Sequence, residues 1–263
     1  MFEARLKNGL VLKKLVDSVK DLCKEVNWDI SSTGIHMQTM DSSHVCLLAF
    51  ELEAAGFDAF ECDVPVTLGI NLDNLATILK CVDCNDVVTL TASDASDMMT
   101  IAVNDAVRGR SYQVDLKLMT IEADYLVLPD DAFSTIAVLA SVDYARVVKD
   151  LASIGDAVRV SSSEGFLRFK TTGDIGTATI VIRHSDTADV QVTEPVDLLF
   201  SLKYMNSFAK GAALSSHVNL GLTNLTPVKV WYVIPGMGQV VFYLAPKMDD
   251  GDECGDGDGG GDA

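Results

Sequence analysis

The side chains that most often carry chemistry are few and scattered in this chain. Histidine occurs only as His36, His44, His184 and His217, and cysteine as Cys23, Cys46, Cys62, Cys81, Cys84 and Cys254. Cys81-x-x-Cys84 is one thiol pair without a second, and no histidine stands at ligand spacing to it, so the four ligands of a zinc site do not assemble. Three disulfides are arithmetically possible. The N-terminus, MFEARLKNG, lacks an apolar signal-peptide core, so free thiols in a soluble intracellular protein are expected. There is no glycine-rich phosphate loop, no G-x-S-x-G and no H-E-x-x-H. Acids abound, but no pair stands beside a candidate nucleophile. The expectation is a protein without catalysis, cofactor or metal; an enzyme would need a buried carboxylate pair or a bound cofactor.

The chemistry that the sequence does pattern is cationic. The chain has 20 Lys and Arg against 38 Asp and Glu, a formal charge of −18. Nine of the basic residues nevertheless fall on four short amphipathic stretches: Lys13, Lys14, Lys20, Lys24, Lys80, Arg146, Lys149, Lys203 and Lys210. Lys13, Lys20 and Lys24 share the face opposite an apolar stripe, and Arg146 and Lys149 are helical neighbours. For one helix this is an ordinary solvated face. Four such faces in an acidic chain point to phosphate contact. No cluster of Arg, Asn and Gln for base edges and no exposed aromatic series for stacking accompanies them.

The elements that must position these cations are legible from periodicity. Leu12, Leu15, Val16, Val19, Leu22, Cys23 and Val26 predict a helix within Asn8 to Val26. Three further stripes predict helices over Leu72 to Cys81, Val142 to Ile154 and Leu202 to Gly211, the last closed by its glycine. Strand-like runs lie between, such as Val87 to Thr91, Met99 to Val103 and Tyr112 to Leu116, the last alternating as a half-buried strand does. Few helices on one side of antiparallel sheets make an α+β protein.

The body also repeats. Lys20-Asp21-Leu22 recurs at Lys149-Asp150-Leu151, Ser31-Ser32 at Ser161-Ser162, Lys80 at Lys210, and Val88 and Leu90 at Val218 and Leu220. These echoes stand 129 or 130 residues apart, which predicts two similar domains, 1–117 and 135–248, joined by 118–134. Residues 249–263 form an Asp/Gly tail that reads as solvated and disordered, without the spacing of a calcium loop. With 48% apolar residues and a mean hydropathy of +0.24, a substantial core is available. The longest uncharged apolar run, Ser134 to Val142, is too short to span a bilayer.

These residues resemble the eukaryotic DNA sliding clamps, the proliferating cell nuclear antigen family. The likeness runs from Met1 to about Met248, with one shorter loop near Ser185 to Val190. It rests on MFEARL at the start, WDIS at Trp28, MDSSHV at Met40 to Val45, GFD at Gly56, NL and ILKC at Asn71 and Ile78, KLM at Lys117, IGDAV at Ile154, TEPV at Thr193 and YLAPK at Tyr243 to Lys247.

The resemblance implies a nuclear DNA polymerase processivity factor for replication and repair. It implies a homotrimeric ring of six similar domains around duplex DNA, with Lys13, Lys14, Lys20, Lys80, Arg146, Lys149, Lys203 and Lys210 facing the nucleic acid. It also implies a hydrophobic pocket of Met40, His44, Val45, Leu47, Leu126, Leu128, Pro129, Pro227, Tyr243, Ala245 and Pro246. Replicative DNA polymerase, clamp loader, flap endonuclease and DNA ligase would dock there by short motifs of Gln, an aliphatic and paired aromatics. The subunit joint would pair the strand of Arg108, Arg110, Tyr112 and Val114 with one near Asp174 to Arg183. Val114 stands where such clamps often carry an aromatic, and Glu164 where many carry a lysine modified by ubiquitin. The alternative within the same fold is one subunit of a heterotrimeric checkpoint-type clamp.

Overall fold

The computed structural model describes residues 1–93, 97–105, 107–122 and 132–248. The first half forms β1 (Phe2–Leu6), α1 (Leu10–Val19), β2 (Glu25–Ser31), β3 (Gly34–Met40), β4 (Cys46–Glu53), β5 (Ala59–Cys62), β6 (Val66–Asn71), α2 (Leu72–Leu79), β7 (Val87–Ala92), β8 (Met98–Asp105) and β9 (Arg110–Lys117). The second half forms β10 (Thr135–Ala140), α3 (Ser141–Ala152), β11 (Ala157–Ser163), β12 (Phe166–Gly173), β13 (Gly176–Arg183), β14 (Ala188–Val192), β15 (Asp197–Ser201), α4 (Leu202–Phe208), β16 (His217–Leu222), β17 (Val228–Ile234) and β18 (Gly238–Leu244). Both halves run through the same succession of strands and helices.

Local sequence explains most of these elements. Asn71 caps α2 by accepting the Asn74 N–H at 3.0 Å, and Asp73 complements its N-terminal dipole. Leu72, Leu75, Ala76 and Leu79 then put one face into the core. Strand β7 buries every second residue, Val88, Leu90 and Ala92. Helix α1 stops at Val19, short of the stripe that ran to Val26, because Val26, Trp28 and Ile30 belong to the two-residue alternation of β2. Gly211 does not close α4 in a left-handed turn. A 3-10 segment, Ala209–Ala213, follows the helix, and Gly211 lies under the Tyr232 ring, where a Cβ would come within 2.4 Å.

All sheets are antiparallel. The first half makes a five-stranded sheet, β5-β1-β7-β8-β9, and the second a four-stranded one, β13-β12-β11-β15. The other strands join in one nine-stranded sheet, β14-β10-β16-β17-β18-β4-β3-β2-β6. This sheet is the five-stranded unit of the second half fused to the four-stranded unit of the first. The fusion is the pairing of β18 with β4, from Gly238 opposite Leu52 to Leu244 opposite Cys46. The four helices lie on the inner faces and share one continuous core.

Sheet register tests the repeat residue by residue. Ala4 faces Leu90 as Ala137 faces Leu220, and Lys80 and Lys210 follow equivalent helices. Two echoes fail. Ser31 closes its hairpin against Gly34 as Ser163 does against Phe166, so Ser161-Ser162 is not the counterpart of Ser31-Ser32. The buried row Leu12, Leu15, Val16 and Val19 corresponds to Tyr144, Val147, Val148 and Leu151, so the two Lys-Asp-Leu triplets occupy different helical positions. Loops of unequal length make the separation drift, from 133 residues at Ala4 and Ala137 to 128 at Val114 and Phe242.

The two halves are also tied by a buried carboxylate. Asp41 is 5% exposed. Its Oδ1 accepts the N–H groups of Val45 and Cys46 at 2.9 and 2.8 Å, and its Oδ2 accepts that of Ser43 at 3.1 Å. The Tyr204 hydroxyl on α4 donates to Oδ2 at 2.6 Å. Burial opposes ionisation, but the Tyr204 hydroxyl and these N–H groups outweigh it and hold Asp41 below the usual carboxylate range. A lowered pKa contributes stability above the unfolded value and loses it as pH falls through the folded one. Asp41→Ala should therefore cost about 2 kcal/mol in urea unfolding at pH 7. The gap to the wild type should narrow below about pH 4.

Candidate functional site

The helical cations divide into those spent on the protein and those left outward. The Lys13 ammonium donates to the carbonyls of Lys80 and Val82, both at 3.0 Å, and so caps the C-terminal end of α2. The expected outward face of α1 is thus partly used to hold α1 to α2. Lys20 pairs with Asp17 at 2.5 Å, Lys210 with Asp21, and Arg146 with Asp150 at 3.8 Å. Lys14, Lys80, Lys149 and Lys203 have no acidic partner within 4 Å among the described residues; Lys14 is half-buried and the other three are exposed. Exposed acids share the helical surface, Asp73, Asp143 and Asp150 among them.

The opposite face of the nine-stranded sheet carries a second, separate apolar cluster. Leu47, Val241 and Tyr243 are nearly buried there, with Met40 and Trp231 packed against them. Strand pairing assembles it: Met40 faces Leu47, Leu47 faces Tyr243, and Tyr243 faces Lys229. Of the expected pocket residues, Met40, Leu47 and Tyr243 meet in this cluster. His44 and Val45 are exposed beside it, on the turn that Asp41 holds, and His44 adopts a left-handed φ of 55°. The Ala245 N–H donates to the Val45 carbonyl at 3.1 Å, which brings Ala245 and the half-buried Pro246 to the same rim. Pro227 is half-buried at the start of β17. Leu126, Leu128 and Pro129 lie outside the described residues.

Sequence reasoning missed Val241, Trp231, Lys229 and Phe133. Phe133 stacks on Trp231 with centroids 6.2 Å apart. Its ring covers Gly221, where a Cβ would come within 2.7 Å. The other end of the connecting segment is fixed as well. Met119 bridges Gly69, and the Asn27 side chain donates to the Ile121 carbonyl at 2.9 Å.

The edges of the sheets differ in kind. Met119 covers β6 and Lys247 covers β15, while β5 and β14 are short. Strands β9 and β13 are eight residues each, and no strand lies on their outer sides among the described residues. They are the counterparts of β18 and β4, which pair with each other inside the chain. Arg110, Tyr112 and Val114 lie on β9. Tyr112 is 43% exposed, so this strand is not half-buried as its alternation suggested, because its neighbouring side is open. Arg108 sits in the preceding turn, bonded to Asp105 and Asp83, and Asp174 sits in the turn before β13, which ends at Arg183. A cavity of about 420 Å³ opens between α3 and β13, lined by Asp143, Arg146 and Ile180 among others. Arg146 therefore borders this edge. At the equivalent place beside α1, the chain's own Ala209–Ala213 turn packs.

Two family models match the chain: the N-terminal domain of proliferating cell nuclear antigen over residues 1–126 and the C-terminal domain over residues 127–247. The two matches meet between β9 and β10 and cover nearly all of the chain, in agreement with the repeated α+β architecture. Members of this family are sliding clamps, scaffolds for DNA replication and repair without enzymatic activity of their own. The chain belongs to the proliferating cell nuclear antigen family.

Proposed function

We propose that three copies of this chain close into a ring around duplex DNA and act as a processivity clamp in the nucleus. The observation that carries this reading is the pair of open edges. Inside the chain, β18 of one half pairs with β4 of the other. Their counterparts β9 and β13 are left to repeat the same joint between chains. If the joint between chains repeats the internal one, Tyr112 would stand opposite Ile180 and Val114 opposite Ala178. The small Val114 and Ala178 would then face each other, between Tyr112 opposite Ile180 and Leu116 opposite Gly176. Such a joint is head-to-tail, and a head-to-tail contact that closes makes a ring. One chain supplying both complementary edges favours a homotrimer over a heterotrimeric checkpoint-type ring.

In this ring the helices line the hole. A closed ring cannot leave DNA sideways, so holding on does not require tight binding. A few outward lysines suffice for sequence-independent phosphate contact, and weak contacts allow sliding. The paired acids keep those contacts weak. The outer cluster around Leu47 and Tyr243 then receives the aromatic anchors of short motifs in replicative polymerase, clamp loader, flap endonuclease and ligase.

Lys80→Glu combined with Lys149→Glu should leave the fold and assembly intact, since both side chains are exposed and lack acidic partners within 4 Å among the described residues. It should cut polymerase stimulation on primed DNA at least tenfold at 0.1 M salt; unchanged stimulation places the DNA elsewhere. Val45→Glu puts a charge on the rim of the cluster without touching the core. It should weaken a Gln-aliphatic-aromatic peptide at least tenfold by calorimetry, with no change in melting temperature beyond about 1 °C, the scale of a neutral surface substitution.

A further inference from the structure

The two halves carry different charge at matching places on their helices. The Leu72 N–H donates to the Lys24 carbonyl at 2.7 Å, and the Leu202 N–H to the Asp156 carbonyl at 2.9 Å. This repeated contact fixes the correspondence. Leu72 and Leu202 are 130 residues apart, and Lys24 and Asp156 are 132 apart, as are Leu12 and Tyr144 in the buried rows of α1 and α3. Lys80 therefore matches Lys210, while Asp17, Lys20 and Asp21 match Lys149, Ala152 and Ser153. In the first half, Lys20 pairs with Asp17 at 2.5 Å, and Asp21 pairs with Lys210 across the seam where the Ala209–Ala213 turn packs on α1. Both cations there are answered by acids. At the matching places, Lys149 and Lys80 are exposed and have no acidic partner within 4 Å among the described residues. Ser153 only turns its hydroxyl to the Asp150 carbonyl, at 2.6 Å, and the Asp150 carboxylate stands 3.8 Å from Arg146.

We infer that Asp21 quenches Lys210 and so confines the phosphate grip to the seams between chains. The inference rests on the ring and DNA reading above and names which cations hold phosphate. If the joint between chains repeats the internal one, the turn after α2 of one copy meets α3 of the next, as the Ala209–Ala213 turn meets α1. That seam then offers Lys80 and Lys149 to DNA, with no acid at the other two matching places. The seam within each chain offers two closed ion pairs instead. Grip therefore alternates around the ring, strong at three seams and weak at three. A lysine strengthens DNA binding by neutralising a phosphate and releasing its counterion. One already held by a carboxylate must give up that partner first, so its net gain is small. Asp21 is a positioning residue here: it touches no DNA and acts through Lys210. Stability does not explain the pair. The Lys210 and Asp21 side chains are 43% and 49% exposed, and exposed ion pairs add little to folding.

Fluorescence anisotropy of a short labelled duplex tests this on the full chain, with the mass of each variant checked by light scattering. Asp21→Ser installs the residue that the repeat carries at this place. It should bind DNA at least threefold more tightly at about 0.05 M NaCl. Its salt dependence, read between about 0.05 and 0.2 M, should steepen by about 0.9 in log–log slope for each phosphate that Lys210 newly contacts. Lys210→Ala should change the wild type less than twofold, yet abolish the whole gain when combined with Asp21→Ser. No gain in Asp21→Ser, or a gain that survives Lys210→Ala, overturns the inference while leaving the clamp reading standing. A wild type that shows no salt-dependent binding to the duplex overturns the DNA reading and the inference with it. Should Asp21→Ser fail to assemble, the reverse exchange decides. Ser153→Asp sets an acid beside Lys80 of the next copy and should weaken binding at least threefold; unchanged binding overturns the proposal.

Discussion

One backbone pairing organises this molecule. Strand β18 of the second half hydrogen-bonds to β4 of the first along its whole length and turns two smaller sheets into one of nine strands. Because the halves are repeats, the same two edge types exist twice, and one chain can use them only once. An uncovered eight-residue edge is a hazard that proteins normally shorten, cover or charge. This chain shortens β5 and β14 and covers β6 and β15, yet among the described residues no strand covers β9 or β13. Selective protection of the other edges is the physical basis for proposing that these two meet between chains.

The joint also decides where chemistry can sit. Fusing the sheets lays α1 beside the Ala209–Ala213 turn and brings all four helices onto one face. It simultaneously brings Met40 and Leu47 from the first half against Tyr243 and Val241 from the second on the other face. The proposed DNA contacts and the proposed docking cluster are therefore products of the same strand pairing. Asp41 adds a local tie, since it shapes the turn at the cluster's rim and accepts a hydrogen bond from Tyr204 on a helix of the inner face.

Much of this was legible in the sequence, for identifiable reasons. Helices and strands followed from short-range periodicity, which a single chain displays openly. The duplication was visible through Val88 with Val218 and Leu90 with Leu220, where both the fold and the residues repeat. It was misjudged at Ser31 and at the Lys-Asp-Leu triplets, because unequal loops shift the spacing while chance identities keep it constant. The helical cations were found, but not their uses: that Lys13 caps α2 depends on a contact 67 residues away. The aromatic surround of Lys229 was invisible, since Phe133, Trp231 and Tyr243 reach it only through pairing and stacking that sequence spacing does not encode. Nor could alternation alone show that β9 is an edge, because an edge is defined by a missing neighbour.

The central claim is that β9 and β13 pair between chains and close a ring of three. Absolute mass by light scattering on a size-exclusion column, over a dilution series, tests it most directly. The account predicts about 85 kDa, three times the chain mass of 28.2 kDa, with the mass falling towards the monomer when Ile180→Asp breaks the apolar side of the joint. A wild-type mass that stays near 28.2 kDa at high concentration would contradict it.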